Sequence, residues 1–193
     1  MSSLTYEAAL AAISERGRFG IRLGLGRTRA LLHRLGLRFG QIAYNSRDSL
    51  ATGAIELPDT GLTELGRICI REMNHVGILV DLAHASDRTT SETIERSSAP
   101  VVISHANVRA LSNHSRNVTD DNLRLLAENG GVIGITAYSP FCETTPNVRP
   151  KLDDYIDHVA YVADLVGVSR AKVCQWRDEG LLHFEADLPR IWS

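Results

Sequence analysis

Two histidines stand at the ends of two strand-like segments. Apolar runs over residues 77–83 and 100–104 lead directly to His84 and His105, and a polar helical stretch separates them. Functional groups of parallel α/β folds gather at the carboxyl ends of strands. The separation, 105 − 84 = 21 residues, fits one helix and two turns, so we expect both histidines on adjacent strands. Two imidazoles placed there can bind one metal ion, although strand-end histidines are also often ordinary hydrogen-bonded structural residues.

The surrounding sequence alternates between strand and helix patterns. The predicted strands cover residues 38–44, 78–83, 100–104 and 131–137, and the predicted helices cover about 61–75, 87–97, 119–128 and 152–166. The strands are continuous Val/Ile/Leu runs, which is typical of parallel strands covered on both faces. Thr119 is a suitable helix N-cap, and Gly130-Gly131 suits the end of that helix. This alternation predicts an α/β fold with a parallel sheet, either doubly wound or a barrel.

Composition predicts a single globular domain over residues 1–193. The 193 residues are 44% hydrophobic and 23% charged, with a formal net charge of −2, so no basic field attracts nucleic acid or an anionic membrane. The odd set of widely spaced cysteines, Cys69, Cys142 and Cys174, indicates buried thiols in a reducing compartment. No signal peptide or spanning segment is recognisable, and we therefore expect a cytoplasmic protein without a membrane partner.

Longer stretches carry a family resemblance. The segments "GLTELGRICIREMNHVGILVDLAHASDRT" and "SSAPVVISHANVRALSNHSRNVTDDNLRLLAENGGVIGI" resemble the membrane (renal) dipeptidase family of zinc peptidases, with a match over about residues 35–168. The resemblance implies a (β/α)8 TIM-type barrel that binds two Zn²⁺ ions at its carboxyl end. It also implies hydrolysis of dipeptides, commonly with tolerance for a D residue at the second position.

The resemblance assigns roles to particular residues. His84 and His105 match the two histidines that bind one zinc ion, and Arg116, at 116 − 105 = 11 residues further on, matches the arginine that holds the substrate carboxylate. A planar guanidinium suits a carboxylate because it donates two parallel hydrogen bonds. Capping of the helix near Thr119 is the structural alternative for Arg116.

Two further residues have open roles. Tyr44 stands where eukaryotic members carry a histidine that polarises the scissile carbonyl, and its phenol could donate a hydrogen bond to a developing oxyanion or pack the top of the barrel. Asp81 could accept a hydrogen bond behind the site or lie in the core. The remaining histidines with no matching metal position are predicted at the surface: His75, His114, His158 and His183.

Other parts of the family pattern are missing. The sequence contains no His-x-Asp pair for the second zinc ion, and Glu15 and Asp178 are the nearest substitutes for the bridging glutamate and the catalytic aspartate. The chain therefore corresponds to an incomplete barrel, roughly strands four to seven plus an altered C-terminal segment. We expect His84 and His105 to lie within reach of one metal ion, with weak zinc binding and little dipeptidase activity. Whether homo-oligomers form, or a second chain completes the barrel, is left open.

The altered tail supports an alternative function. Residues 159–182 fit a helix-turn-helix pattern in which Arg170, Lys172 and Gln175 lie on the second helix, as in DNA-binding proteins. The negative net charge and the absence of a second basic cluster argue against this alternative.

Overall fold

Strands and helices alternate along the chain. The computed structural model describes residues 32–145 and 148–167. The elements in chain order are β1 (Phe39–Gln41), α1 (Glu64–Val76), β2 (Leu79–Asp81), α2 (Asp87–Arg96), β3 (Val102–Ala106), α3 (Asp120–Glu128), β4 (Val132–Ile135), α4 (Ser139–Cys142) and α5 (Leu152–Leu165). The strands form a parallel sheet in the order β1-β2-β3-β4. The predicted α/β class and the parallel sheet are therefore confirmed.

β1, β2 and β4 are shorter than predicted, whereas β3 has the predicted length but lies two residues further along the chain. At the ends of β2 and β4, side chains capture backbone groups that would continue the strand. Beyond β2, the Asp81 carboxylate accepts from the backbone N–H of Ala83 at 3.1 Å. Beyond β4, the side-chain oxygen of Asn107 accepts from the backbone N–H of Thr136 at 2.9 Å. Polar side chains thus end both strands and turn the chain into the loops at the carboxyl edge of the sheet.

The helices begin and end at the residue types that favour helix boundaries. Thr63, Ser86 and Thr119 each accept a hydrogen bond from a backbone N–H in the first turn of the helix that follows. Gly77 and Gly130 adopt left-handed φ angles of 78° and 74° after α1 and α3. The predicted cap at Thr119 is confirmed, and each helix start is fixed directly beyond a loop that borders the sheet edge.

The outer face of the sheet carries the hydrophobic core. Val80 and Ile103 point outward from β2 and β3 and are 0% and 1% exposed. The helices supply the opposing side chains of this core: Ile70 and Met73 from α1, Ile94 from α2, and Leu123 and Leu126 from α3. The apolar stripe of each helix therefore buries one face of the strands.

The inner face is more open. Phe39 and Leu79 are paired in register on β1 and β2 and are 52% and 38% exposed, and Val132 on β4 is 64% exposed. The prediction that both faces are covered is wrong for these positions, because the described residues place their helices on the outer side. Toward the carboxyl edge, the inner face becomes polar at Gln41, Asp81 and Ser104.

The remaining predictions concern the cysteines, the suggested helix-turn-helix and membrane spans, and some of them lie outside the described residues. Cys69 and Cys142 are buried thiols, as expected. Cys174, Glu15, Asp178 and residues 168–182 of the suggested helix-turn-helix lie outside the described residues. Among the helices described, none combines the length and apolar character needed to cross a membrane.

Candidate active site

His84 and His105 meet at the carboxyl edge of the sheet. His84 follows β2, and His105 lies near the end of β3, the next strand. Their Nε2 atoms are 3.0 Å apart, and the rings meet edge to face with centroids 4.9 Å apart. The structure therefore brings together the two residues for which the sequence predicts a shared metal ion.

Each imidazole is held at its other nitrogen. The Ser104 hydroxyl donates to the Asp81 carboxylate at 2.6 Å and so accepts from His105 Nδ1, 2.9 Å away. The Asn45 side-chain oxygen, which only accepts, lies 2.8 Å from His84 Nδ1. Both neutral rings therefore carry their proton on Nδ1 and direct the Nε2 lone pair toward the other ring.

Burial keeps both histidines neutral. Loss of hydration lowers the pKa of His84 from 6.5 to about 4, with further lowering by the positive charge of Arg116 and by His105, while Asp81 acts in the opposite direction. The pKa of His105 is lowered by burial and then by Arg116, again against Asp81. Neutral imidazole is the metal-binding form, so these shifts keep Nε2 available as a ligand at neutral pH.

The separation of the two Nε2 atoms is close to that of two imidazole ligands of one metal ion. Two lone pairs facing each other at 3.0 Å make no hydrogen bond, whereas a tetrahedral zinc ion about 2.0–2.1 Å from each nitrogen separates them by roughly 3.3 Å. The pair thus fits part of one zinc site. Within residues 32–145 and 148–167, no group of three or more His, Cys, Asp or Glu side chains could hold an ion.

Arg116 lies beside the histidines. Its Nε donates to the backbone carbonyl of Ala83 at 3.0 Å, and its Nη1 lies 3.4 Å from the Asn45 oxygen. Thr119 caps its helix with its own side chain, and the hydrogen bonds of the Arg116 guanidinium found among the described residues go to Ala83 and Asn45 and not to that helix. Contact with the residue before His84 fixes the guanidinium at the end of β2.

The guanidinium is incompletely satisfied. Its Nη2 is buried and has no hydrogen-bond partner in the described part of the chain, and the ring of Phe141 lies 5.2 Å from Cζ. Burial lowers the pKa of Arg116, against the opposing influence of Tyr44, Asp81 and Tyr138. A half-buried cation with one buried, unpaired donor favours an anionic partner, and a carboxylate is such a partner.

Tyr44 covers the His84 ring on its solvent side. It is 64% exposed, and its ring stacks on the imidazole of His84 with centroids 4.1 Å apart. Its predicted role at the scissile carbonyl stays a prediction.

Two contacts of the site were missed from the sequence. Asn45 and Ser104 hold His84 and His105, but neither was singled out. One signal was available, since each is a polar residue directly beside a candidate, in "YN" and "SH". Asp81, for which two roles were open, is buried and also acts as an acceptor: it receives hydrogen bonds from Ser104 and stands behind His105.

The other histidines differ in position. His75 is exposed, as predicted, and His183 lies outside the described residues. The surface prediction is wrong for His158, which is 0% exposed and accepts from the Val108 backbone N–H at 3.1 Å. It is also wrong for His114, which is half-buried with its ring against Phe141. Their burial reflects packing of the loop after β3 against α4 and α5.

Comparisons with known proteins agree on one family. The family described as membrane dipeptidase (peptidase family M19) matches residues 22–172. An uncharacterized dipeptidase of Schizosaccharomyces pombe is 36% identical over 172 residues, which are 82% of this chain and 41% of the relative. The chain therefore spans about two fifths of the length of that curated relative.

Solved structures give the same result. An amidohydrolase from Pseudomonas aeruginosa has a TM-score of 0.67 and 36% identity, over 72% of this chain and 42% of that protein. A metallo peptidase from Rhodobacter sphaeroides, liganded with a phosphinate mimic of the dipeptide L-Ala-D-Ala, has a TM-score of 0.64 and 28% identity, over 71% of this chain and 41% of that protein. The four-stranded sheet thus corresponds to part of a TIM-type barrel, as predicted.

Proposed function

Because the chain belongs to the membrane dipeptidase family (peptidase family M19), we propose that it carries part of a zinc-dependent centre that hydrolyses the amide bond of dipeptides. The observation that supports this proposal most strongly is the pair of Nε2 atoms of His84 and His105, which face each other at 3.0 Å. Both belong to neutral rings whose other nitrogen is engaged. Zn²⁺ is a suitable ion because it readily accepts imidazole nitrogen.

In this proposal the two histidines hold one zinc ion. The chemistry that zinc supplies in such a centre is Lewis acidity toward the scissile carbonyl and a lowered pKa for water, near 7. A tight site normally has three or four protein ligands, and His84 and His105 are two. We therefore expect weak zinc binding by the chain alone, which agrees with the lack of any group of three or more His, Cys, Asp or Glu side chains suited to an ion in the described part of the chain.

Arg116 binds the carboxylate of the dipeptide. Its buried and unpartnered Nη2 supports this role, because a carboxylate would satisfy that donor and the positive charge together. The bonds to Ala83 and Asn45 hold the guanidinium beside His84, so a substrate carboxylate bound there places the amide bond close to the histidines. Tyr44, exposed over His84, donates to the carbonyl oxygen as negative charge develops on it.

Zinc titration calorimetry tests the metal site, with a panel of dipeptides assayed in parallel. We expect weak binding of one ion to the full chain, little turnover, and a loss of affinity of about tenfold or more in the double variant His84→Ala/His105→Ala. His75→Ala is the matched control, because His75 is an exposed histidine on α1.

Three results would contradict parts of the proposal. Equal zinc binding by the chain and the double variant would exclude this pair as the site. Two tightly bound ions with good turnover would show that the chain supplies further metal ligands, with Glu15 and Asp178 as the first candidates. Activity only on esters or nucleotides would exclude dipeptides as the substrate class.

A further inference from the structure

We propose that Asn45 is a positioning residue that locks His84 in the tautomer required for metal binding. This inference rests on the proposed function and adds a residue to it. Asn45 follows the end of β1, and its Oδ1 lies 2.8 Å from His84 Nδ1. An acceptor at this place holds the proton on Nδ1 and leaves the Nε2 lone pair free to face His105.

A second neighbour determines which end of the amide faces His84. The same Asn45 atom lies 3.4 Å from Arg116 Nη1, and a guanidinium can only donate hydrogen bonds. The atom must therefore be the amide oxygen, because an NH₂ group there would face the Arg116 donor with a donor of its own. Arg116 thus selects the amide orientation that makes His84 Nδ1 a donor.

The backbone of Asn45 is held in an unusual conformation. Its φ is 55°, in the left-handed region that asparagine tolerates better than most residues. The Asn45 carbonyl accepts from the Ile55 N–H at 3.0 Å. Gly53 packs so closely on Asn45 that a Cβ added to Gly53 would clash with the Asn45 carbonyl carbon. These contacts fix the direction from which the side chain approaches the imidazole.

The same loop is tied to the backbone of His84. The Ala54 N–H donates to the His84 carbonyl at 2.9 Å, and Gly53 forms an isolated bridge with Ala85. Asn45 and His84 are therefore fixed to each other through the main chain, although 39 residues separate them. A strained φ held by surrounding contacts, with its side chain on a candidate ligand, is the arrangement expected of a preorganised site.

Two substitutions separate the side chain from the backbone. Asn45→Gly keeps access to a positive φ and removes the acceptor, whereas Asn45→Asp keeps an acceptor oxygen at the same distance along the side chain. ¹⁵N NMR of histidine side chains in the metal-free chain at pH 7.5 reports which nitrogen of His84 carries the proton. Its signal is assigned from His84→Ala, and amide spectra of all variants report folding.

We expect His84 to carry its proton on Nδ1 in the unsubstituted chain and in Asn45→Asp. In Asn45→Gly the Nε2–H tautomer becomes populated, and zinc affinity falls by about 10- to 100-fold. A folded Asn45→Gly variant with an unchanged tautomer and unchanged zinc affinity would overturn the inference, as would a loss in Asn45→Asp equal to that in Asn45→Gly.

The tautomer measurement needs no metal, so the inference and the proposed function fail in different ways. If zinc does not bind to the histidine pair, His84→Ala leaves zinc affinity unchanged, which contradicts the proposed function. If zinc binding requires His84 but is indifferent to Asn45, only the role of Asn45 is contradicted.

Discussion

Ile103 and Leu79 lie on neighbouring strands of the same sheet and contain equally large aliphatic side chains, but the first is 1% exposed and the second 38%. Ile103 points outward into the core formed with the helices, whereas Leu79 points to the inner face beside Phe39. The described chain therefore completes one face of the sheet and leaves the other open. A closed eight-stranded barrel fills such an interior with side chains from its other strands.

The candidate site lies at the carboxyl edge of the open inner face. Asp81 and Ser104 belong to the inner face, but their polar groups have partners. Ser104 donates a hydrogen bond to Asp81 and accepts one from His105 of the site. The rest of the inner face is apolar, and the described residues do not bury it. Thus hydrogen bonds among the described residues hold the geometry of the carboxyl edge. The apolar part of the same face needs additional residues to bury it.

The largest expected effect concerns the covered face. Ile103→Ala should lower the free energy of unfolding by about 2–5 kcal/mol, because it leaves a cavity among side chains from the sheet and helices. Urea denaturation followed by circular dichroism measures this change. A loss below about 1 kcal/mol would mean that the outer core is loosely packed and that the contrast between the faces is overstated.

The elements of the covered face could be predicted because their signals are local. Thr119 followed by two aspartates and an asparagine predicts a helix start, and the run before His84 predicts a strand, without any knowledge of distant residues. The positions of His84 and His105 followed from the rule that consecutive parallel strands end at one edge. Their shared location needed only strand order.

The missed features depend on contacts between distant parts of the chain. Asn45 reaches His84 across 39 residues, and His158 on α5 accepts from Val108 across 50. No periodicity in a single sequence encodes such pairs, and a histidine among the aspartates of α5 has the pattern of a solvated helix face. The open inner face could not be read from the strands either, since continuous apolar runs indicate only that a face can be buried.

A smaller loss of stability should appear at acid pH, at the buried His158 on α5. Burial lowers the pKa of His158 against the opposing influence of Asp157 and Asp154. Between its folded pKa and about 6.5, the unfolded chain binds the proton more readily, so stability falls as pH decreases through this window. Protonation at Nδ1 would remove the acceptor of the Val108 hydrogen bond, which is one physical reason why the folded state resists the proton.

Urea unfolding at pH 7.5 and pH 5.5 measures this dependence. Other histidines with a lowered pKa contribute as well, so the test is the difference from His158→Asn, which supplies a side-chain oxygen as a non-titrating acceptor. We expect a smaller acid loss in the variant. Identical losses in both proteins would show that His158 does not drive the change, and would assign it to other groups, among them the histidines whose pKa burial also lowers: His84, His105 and His114.

The smallest effect is expected at Leu79, and it is the sharpest test of the open face. Leu79→Ala removes as many carbon atoms as Ile103→Ala, but from a side chain that already contacts solvent, so the loss should stay below about 1 kcal/mol. A loss equal to that of Ile103→Ala would mean that the inner face is buried in solution. Repeating the unfolding at several protein concentrations then identifies the cover, because burial by a second copy makes the loss concentration-dependent, whereas burial by other segments of the same chain does not.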